Sequence, residues 1–187
     1  IPMQIWQNFK KSQMTKSLTK GLSLRSKRKV SGSLSFNSAK SIAFIFDAEN
    51  PEFIQGIQKF AKQLEKNGKT VFLLGLNKNA KEILDLPFLC LNKNNIDWAG
   101  RPFGKRVDEW LNRPVDIVIH VSPVNDEPLA FLTALTPAGL RIGPVTSQTS
   151  CYDLMLDVPA DTTPQSFFNQ MENLLGKIQV RNEPTVF

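Results

Sequence analysis

The chain is poor in the residues that carry most enzymatic chemistry. Its 187 residues include one histidine, His120, and two cysteines, Cys90 and Cys151. So sparse a set cannot fill the tetrahedral N and S coordination of a zinc site, and no metal is expected. Nor do two cysteines make a disulfide framework in a chain this long. Lying near predicted strands, they read as buried thiols, which fits a reducing, cytosolic setting. No apolar run approaches the roughly 20 residues that span a bilayer. The basic N-terminus is not followed by the apolar stretch of a secretory signal. The glycine-rich phosphate loops are missing as well. After the first core strand the chain reads "DAENPE", and a loop bearing Asp47 and Glu49 repels a pyrophosphate instead of cradling it. NAD, FAD or ATP bound in the standard mode is therefore not expected, and no cofactor is assigned.

Acid is absent from one stretch altogether. Residues 1–40 hold nine Lys or Arg and no Asp or Glu, while the other 147 hold 14 basic and 17 acidic side chains. The net charge of +6 is thus a +9 segment joined to a −3 body, and the basic pI belongs to the segment. Lys10, Lys11, Lys16, Lys20, Arg25, Lys27, Arg28 and Lys29 are interleaved there with Trp6, Phe9, Leu22 and Leu24. Residues 3–20 have helical character, but the apolar stripe drifts. Ile5, Trp6 and Phe9 share one face, and Met14, Leu18 and Leu22 lie nearly opposite. Residues 30–40 are rich in serine and read as a linker or a short edge strand.

From Ser41 onward, strands alternate with helices. "IAFIFD" (42–47) is an apolar run expected of a strand buried on both faces. A helix follows from Pro51 to just before Gly68, with Phe53, Ile54, Ile57, Phe60, Ala61 and Leu64 on its inner face. Further strands are expected at 70–77, 88–91, 115–122, 140–145 and 152–158. Helices are expected near 79–85 and at 105–112, 125–136 and 163–180. This alternation predicts a Rossmann-like or flavodoxin-like α/β domain: a mainly parallel sheet of five or six strands, helices on both faces, and a basic N-terminal helical arm. The expected divisions are 1–40 for the arm and linker, 41–180 for the α/β domain and 181–187 for a tail.

In such sheets ligands bind beyond the carboxyl ends of the strands, where strand order reverses. That rule selects Asp47, Glu49 and Asn50 after the first strand, Asn77 after the second, Ser122, Asn125 and Asp126 after the fourth, and Gly143 on the fifth. The plainer reading makes Asp47 and Asn125 simple turn and helix caps. His120 lies inside a predicted strand and reads as a core or cleft-edge residue. A Cys151–His120 dyad lacks any local signature, and pairing Asp47 with Asp126 for acid–base work needs a proximity that sequence does not provide. No catalytic residue is assigned. In the polar connection 92–104, Trp98 and Arg101 suit stacking on a base or sugar. The alternative is an indole folded over the sheet as an anchor.

The body resembles a small bacterial family of domains of unknown function. The likeness lies in Trp98-Ala99-Gly100, in "PVDIVI" from Pro114 to Ile119, in Pro128-Leu129, in Arg141-Ile142-Gly143, and in "YDLMLD" from Tyr152 to Asp157. It implies a Rossmann-like fold and no activity. Residues 116–143 are similar, more weakly, to the N-terminal half of heptosyltransferase-type GT-B glycosyltransferases. This second likeness implies an acceptor-side half, with the donor held by a further domain. The preferred expectation is an α/β binding module anchored to RNA or the ribosome through residues 1–30. The alternatives are a glycosyltransferase-like enzyme or nucleotide-sugar binder using the strand-end crevice, a peripheral protein on an anionic membrane surface, and a merely solubilising tail. The small-molecule ligand, if any, is not specified by sequence.

Overall fold

The computed structural model describes residues 3–25, 34–79, 86–122, 126–159, 162–177, 179 and 180. Helix α1 (Met3–Arg25) comes first, followed by a short strand β1 (Leu34–Ser35). The α/β body then runs β2 (Ser41–Asp47), α2 (Pro51–Lys66), β3 (Thr70–Asn77), β4 (Leu89–Asn92), α3 (Lys105–Leu111), β5 (Val115–Val121), α4 (Glu127–Leu135), β6 (Ala138–Pro144) and β7 (Leu154–Leu156). Helix α5 (Pro164–Lys177) and strand β8 (Gln179–Val180) close it. The short helix expected near 79–85 falls, apart from Asn79, outside the described residues.

Six strands form one parallel sheet in the order β4-β3-β2-β5-β6-β7. The order reverses between β2 and β5, where Ile45 sits opposite His120. Alternation along each strand sorts the core into two sides. Phe44, Phe46, Ile117, Ile119 and Ile142 pack with Ile57, Phe60, Phe167, Phe168 and Met171 of α2 and α5. Ala43, Ile45, Leu74, Leu76 and Val118 pack with Val107, Trp110, Leu129 and Leu132 of α3 and α4.

Two expected boundaries move. The closing helix stops at Lys177, not residue 180, and Gln179 and Val180 instead pair antiparallel with Ser35 and Leu34. Gly176 weakens the last helical turn, and the extended backbone at Leu34 needs a hydrogen-bonding partner. The last core strand is shorter than 152–158, because Tyr152 turns into the core and Asp153 bonds Arg141. The serine-rich stretch is equally well accounted for. Ser35 and Ser38 exchange side-chain and backbone bonds across a tight turn, while Leu34, Phe36 and Ala39 are buried. The Lys69 ammonium donates to the carbonyls of Phe36, Asn37 and Ala39, and the Asp116 carboxylate accepts the amides of Lys40 and Ser41.

Helix α1 lies outside α4 as an extra layer. "EPLAFLTAL" is apolar on every side, and Leu129, Ala130, Phe131, Leu132, Thr133 and Ala134 are all buried. A helix apolar all round needs cover on both sides. The sheet covers one, and Met14 and Leu18 of α1 cover the other, packed with Ala130, Phe131 and Ala134 and flanked by Leu22 and Leu135. Met14, Leu18 and Leu22, the second half of the drifting stripe, thus lie in this contact, while the side chains of Ile5, Trp6 and Phe9 fall outside what is described. At Gly21 the helices approach so closely that a Cβ would stand 2.3 Å from Leu135 Cδ2. Leu18→Ala is expected to destabilise the protein by about 2 kcal/mol, the low end for a buried leucine. Leu18→Asp should detach α1 and make it cleavable at its lysines while the sheet stays protected. Hydrogen exchange and limited proteolysis read both outcomes, and unchanged protection of α1 in the Asp variant would contradict this packing.

Candidate functional site

Two surfaces could meet a partner: the strand-end crevice and the lysine-bearing surface of α1. At the crevice, β2 ends in Asp47, whose Oδ1 accepts the Glu49 amide at 2.9 Å. Asn50 caps α2, its Oδ1 accepting the amides of Glu52 and Phe53. Glu49 Oε1 reaches across to the Lys78 amide just past β3, at 3.0 Å. The Lys78 ammonium in turn pairs with Asp126, which also caps α4 by accepting the Leu129 amide. Three loops are therefore laced together at the reversal point. Desolvation raises the Asp47 pKa, opposed by the Glu49 amide bond, with the charges of Glu49 and Asp126 raising it further and Lys78 lowering it.

Below this lacing, on the α4 side of the sheet, the chain's lone histidine meets its lone tyrosine. His120 Nδ1 lies 2.6 Å from the Tyr152 hydroxyl, and Nε2 is buried with no hydrogen-bond partner among the described residues. Complete burial lowers the His120 pKa to about 4, with Asp126 raising it and Lys78 lowering it, so the ring is neutral at pH 7. Burial also drives the Tyr152 hydroxyl far above its ordinary value. Gly143 belongs to this arrangement as a seat. A Cβ there would stand 2.1 Å from Tyr152 Cε1, so only glycine lets the ring lie against β6.

Of the sequence-selected crevice residues, the structure brings Asp47, Glu49, Asn50 and Asp126 to one sheet edge and places buried Ser122 at the end of β5. Gly143 lies behind Tyr152, and Asn125 falls outside the described residues. Trp98 stands in the β4–α3 loop, half exposed. Sequence reasoning gives no place in the crevice to Lys78 or Tyr152. The signals for Tyr152 are its position at the head of the "YDLMLD" motif and its being the chain's one tyrosine. Burial raises the Cys90 thiol above its ordinary value. Cys151, also buried, lies with its Sγ 3.9 Å from Gln148 Oε1. Among the described residues no group of His, Cys, Asp and Glu could hold a metal ion. With one carboxylate on the helix cap and the others accepting amides, the described part of the crevice is organised around one charge pair, Lys78 with Asp126.

The exposed lysines of α1 have the opposite character. Lys16 and Lys20 lie on the side away from Met14 and Leu18, Lys10 and Lys11 one turn before Met14 on its own side; all four are exposed, and none makes an ion pair among the described residues. Thr15 and Thr19 return their hydroxyls to carbonyls one turn back. Arg25 ends the helix, while Lys27, Arg28 and Lys29 lie outside the described residues. No described helix is long and apolar enough to cross a membrane.

Two measurements check the crevice. Because the His120 pKa is lower folded than its ordinary 6.5, the unfolded chain takes up the proton first as pH falls. Its contribution is constant above pH 6.5 and is lost towards pH 4, by about 3 kcal/mol at 1.36 kcal/mol per unit. Asp47, with its raised pKa, acts in the opposite sense. The histidine part is therefore the difference between parent and His120→Gln, in denaturant titrations across that window. An equal slope in both proteins would refute the assignment. Gly143→Ala should displace the Tyr152 ring and destabilise by about 1–3 kcal/mol, as overpacking does. A neutral result would show that the seat has room.

Comparison with curated proteins gives no match, and comparison with solved structures gives none. A family model does match, from Lys10 inside α1 to residue 178, just past α5. The match takes in Met14, Leu18 and Leu22 together with the body they cover. The chain belongs to a family of unknown function, DUF6913.

Proposed function

We propose that the protein is an α/β binding module that holds RNA, the ribosome included, through the exposed lysines of α1. The observation that carries this reading is the docking of α1. Its apolar residues Met14 and Leu18 are buried against α4, and Lys10, Lys11, Lys16 and Lys20 are exposed on the docked helix, with no ion pair among the described residues. Lysines at fixed spacing neutralise phosphates and release counterions, which gives strong and sequence-independent affinity. A membrane surface suits this helix less well. A helix lying in the lipid interface needs an apolar face to insert, and over residues 14–18 that face is occupied by α4. A nucleotide-sugar reading of the crevice has less support still, since Asp47 and Glu49 border it and Asp126 occupies the N-terminus of α4.

Binding of a labelled single-stranded RNA should weaken steeply with salt. Four lysine–phosphate contacts predict a log–log slope of about −3, or about 50-fold in affinity between 50 and 200 mM salt. Reversing Lys10, Lys11, Lys16 and Lys20 to glutamate should abolish binding without changing the circular dichroism spectrum. Charge reversal is a cleaner variant than deletion, which would uncover Ala130, Phe131 and Ala134. RNA binding that survives the reversal would refute the reading.

A further inference from the structure

The β4–α3 connection is braced far more heavily than a surface loop requires. A short 3-10 turn at Lys93–Asn95 follows β4, and Ile96 then bridges to Pro102 across a tight hairpin. Within it the Asp97 amide donates to the Arg101 carbonyl and the Gly100 amide to the Asp97 carbonyl, both at 2.9 Å. Asp97 Oδ1 accepts the amides of Ala99 and Arg101, and its Oδ2 holds Arg101 Nε at 2.8 Å and Nη2 at 2.7 Å. Burial opposes that carboxylate, yet the Arg101 and Ala99 bonds hold its pKa below the ordinary value. Gly100 and Gly104 supply the left-handed turns, with φ of +86° and +100°.

The loop takes its inward packing from small residues. Ala99 and Pro102 are buried, whereas Trp98 and Phe103 are each 50% exposed. Arg101 completes the arrangement by reaching α1, with Nη1 donating to Ser17 Oγ at 2.8 Å. Ser17 lies one turn before Lys20 and two turns after Lys10 on the same side of the helix. A half-exposed indole is thereby carried on a braced hairpin that touches α1 between Lys10 and Lys20.

We propose that Trp98 is a stacking platform for an unpaired base whose backbone runs along the α1 lysines, so that this protein takes single-stranded in preference to duplex RNA. The inference rests on the RNA reading of α1 and adds the class of RNA. Phosphate contacts alone do not separate the two forms. An aromatic face does, because only an unpaired base can leave its neighbours to stack on it. Arg101, held edge-on by Asp97 and Ser17, positions the loop.

The test uses the full chain with a labelled single strand of about 12 nucleotides, the matching duplex, and vesicles containing phosphatidylserine. Trp98→Ala should weaken single-strand binding about ten-fold or more, since base–aromatic stacking is lost. Duplex affinity and the salt slope should stay as in the parent, because no phosphate contact is removed. Trp98→Phe should recover most of the loss. Trp98 is half exposed, so the thermal midpoint of the Ala variant serves as the folding control. Parent-like single-strand affinity in Trp98→Ala, with lysine reversal still abolishing binding, would overturn the stacking platform and leave the α1 reading standing. Absence of RNA binding by the parent would overturn both. Loss of vesicle binding in Trp98→Ala, with RNA binding unchanged, would overturn the platform in favour of a lipid-facing indole.

Discussion

Helix α4 is apolar on both of its sides, and the arrangement of the N-terminal half follows from that. Leu129 and Leu132 face the sheet, while Ala130, Phe131 and Ala134 face away from it. Left uncovered, the second set would form an exposed apolar patch on a body with a net charge near −3. Met14 and Leu18 close it, which fixes the rotation of α1 and therefore the direction of its lysines. The same cluster takes in Tyr152 and Cys151. The underside of the cationic helix and the floor of the crevice are thus parts of one packed core.

That shared core explains why the two surfaces differ so much. The crevice is closed electrostatically by its own residues: Lys78 with Asp126, Glu49 with the Lys78 amide, Asp47 with the Glu49 amide. Its buried members are held neutral by desolvation, which penalises charge on His120 and on Tyr152 alike. The lysines of α1 have no such compensation. Lys10, Lys11, Lys16 and Lys20 are exposed and have no acidic partner among the described residues, so whatever they meet must bring the negative charge.

Sequence made the body legible because each element there obeys a single period. The β2 run from Ile42 to Phe46 is buried on both faces, and the α2 stripe of Ile57, Phe60, Ala61 and Leu64 repeats at helical spacing. Asp47, Glu49, Asn50 and Asp126 could be placed at one edge by the strand-end rule, without any view of their partners. The rest depended on contacts between distant residues. Lys78 and Asp126 are 48 positions apart, and His120 and Tyr152 are 32. The burial of Met14 and Leu18 could not be settled locally either, because it is decided by Phe131 and its neighbours on α4. Trp98 illustrates the same limit. Its exposure follows from Ala99 and Pro102 taking the buried positions, which no periodicity encodes in so short a hairpin.

The charge division at residue 40 therefore has a different meaning in three dimensions. On paper it separates a basic arm from a mildly acidic body. In the fold, the described part of the arm is a 23-residue helix whose inner residues belong to the body's core, and the family match begins within it. A tethered tail presents its charges over many geometries and loses conformational entropy when it is ordered on a partner. A docked helix has already lost that freedom on folding, and the Arg101–Ser17 bond extends the same rigidity to the aromatic loop beside it. Preorganisation of this kind increases affinity by lowering the cost of binding and adds no contacts. It also ties any role of the lysines to the packing beneath them: a substitution at Leu18, which touches no ligand in this reading, would disturb the surface as much as one at Lys16.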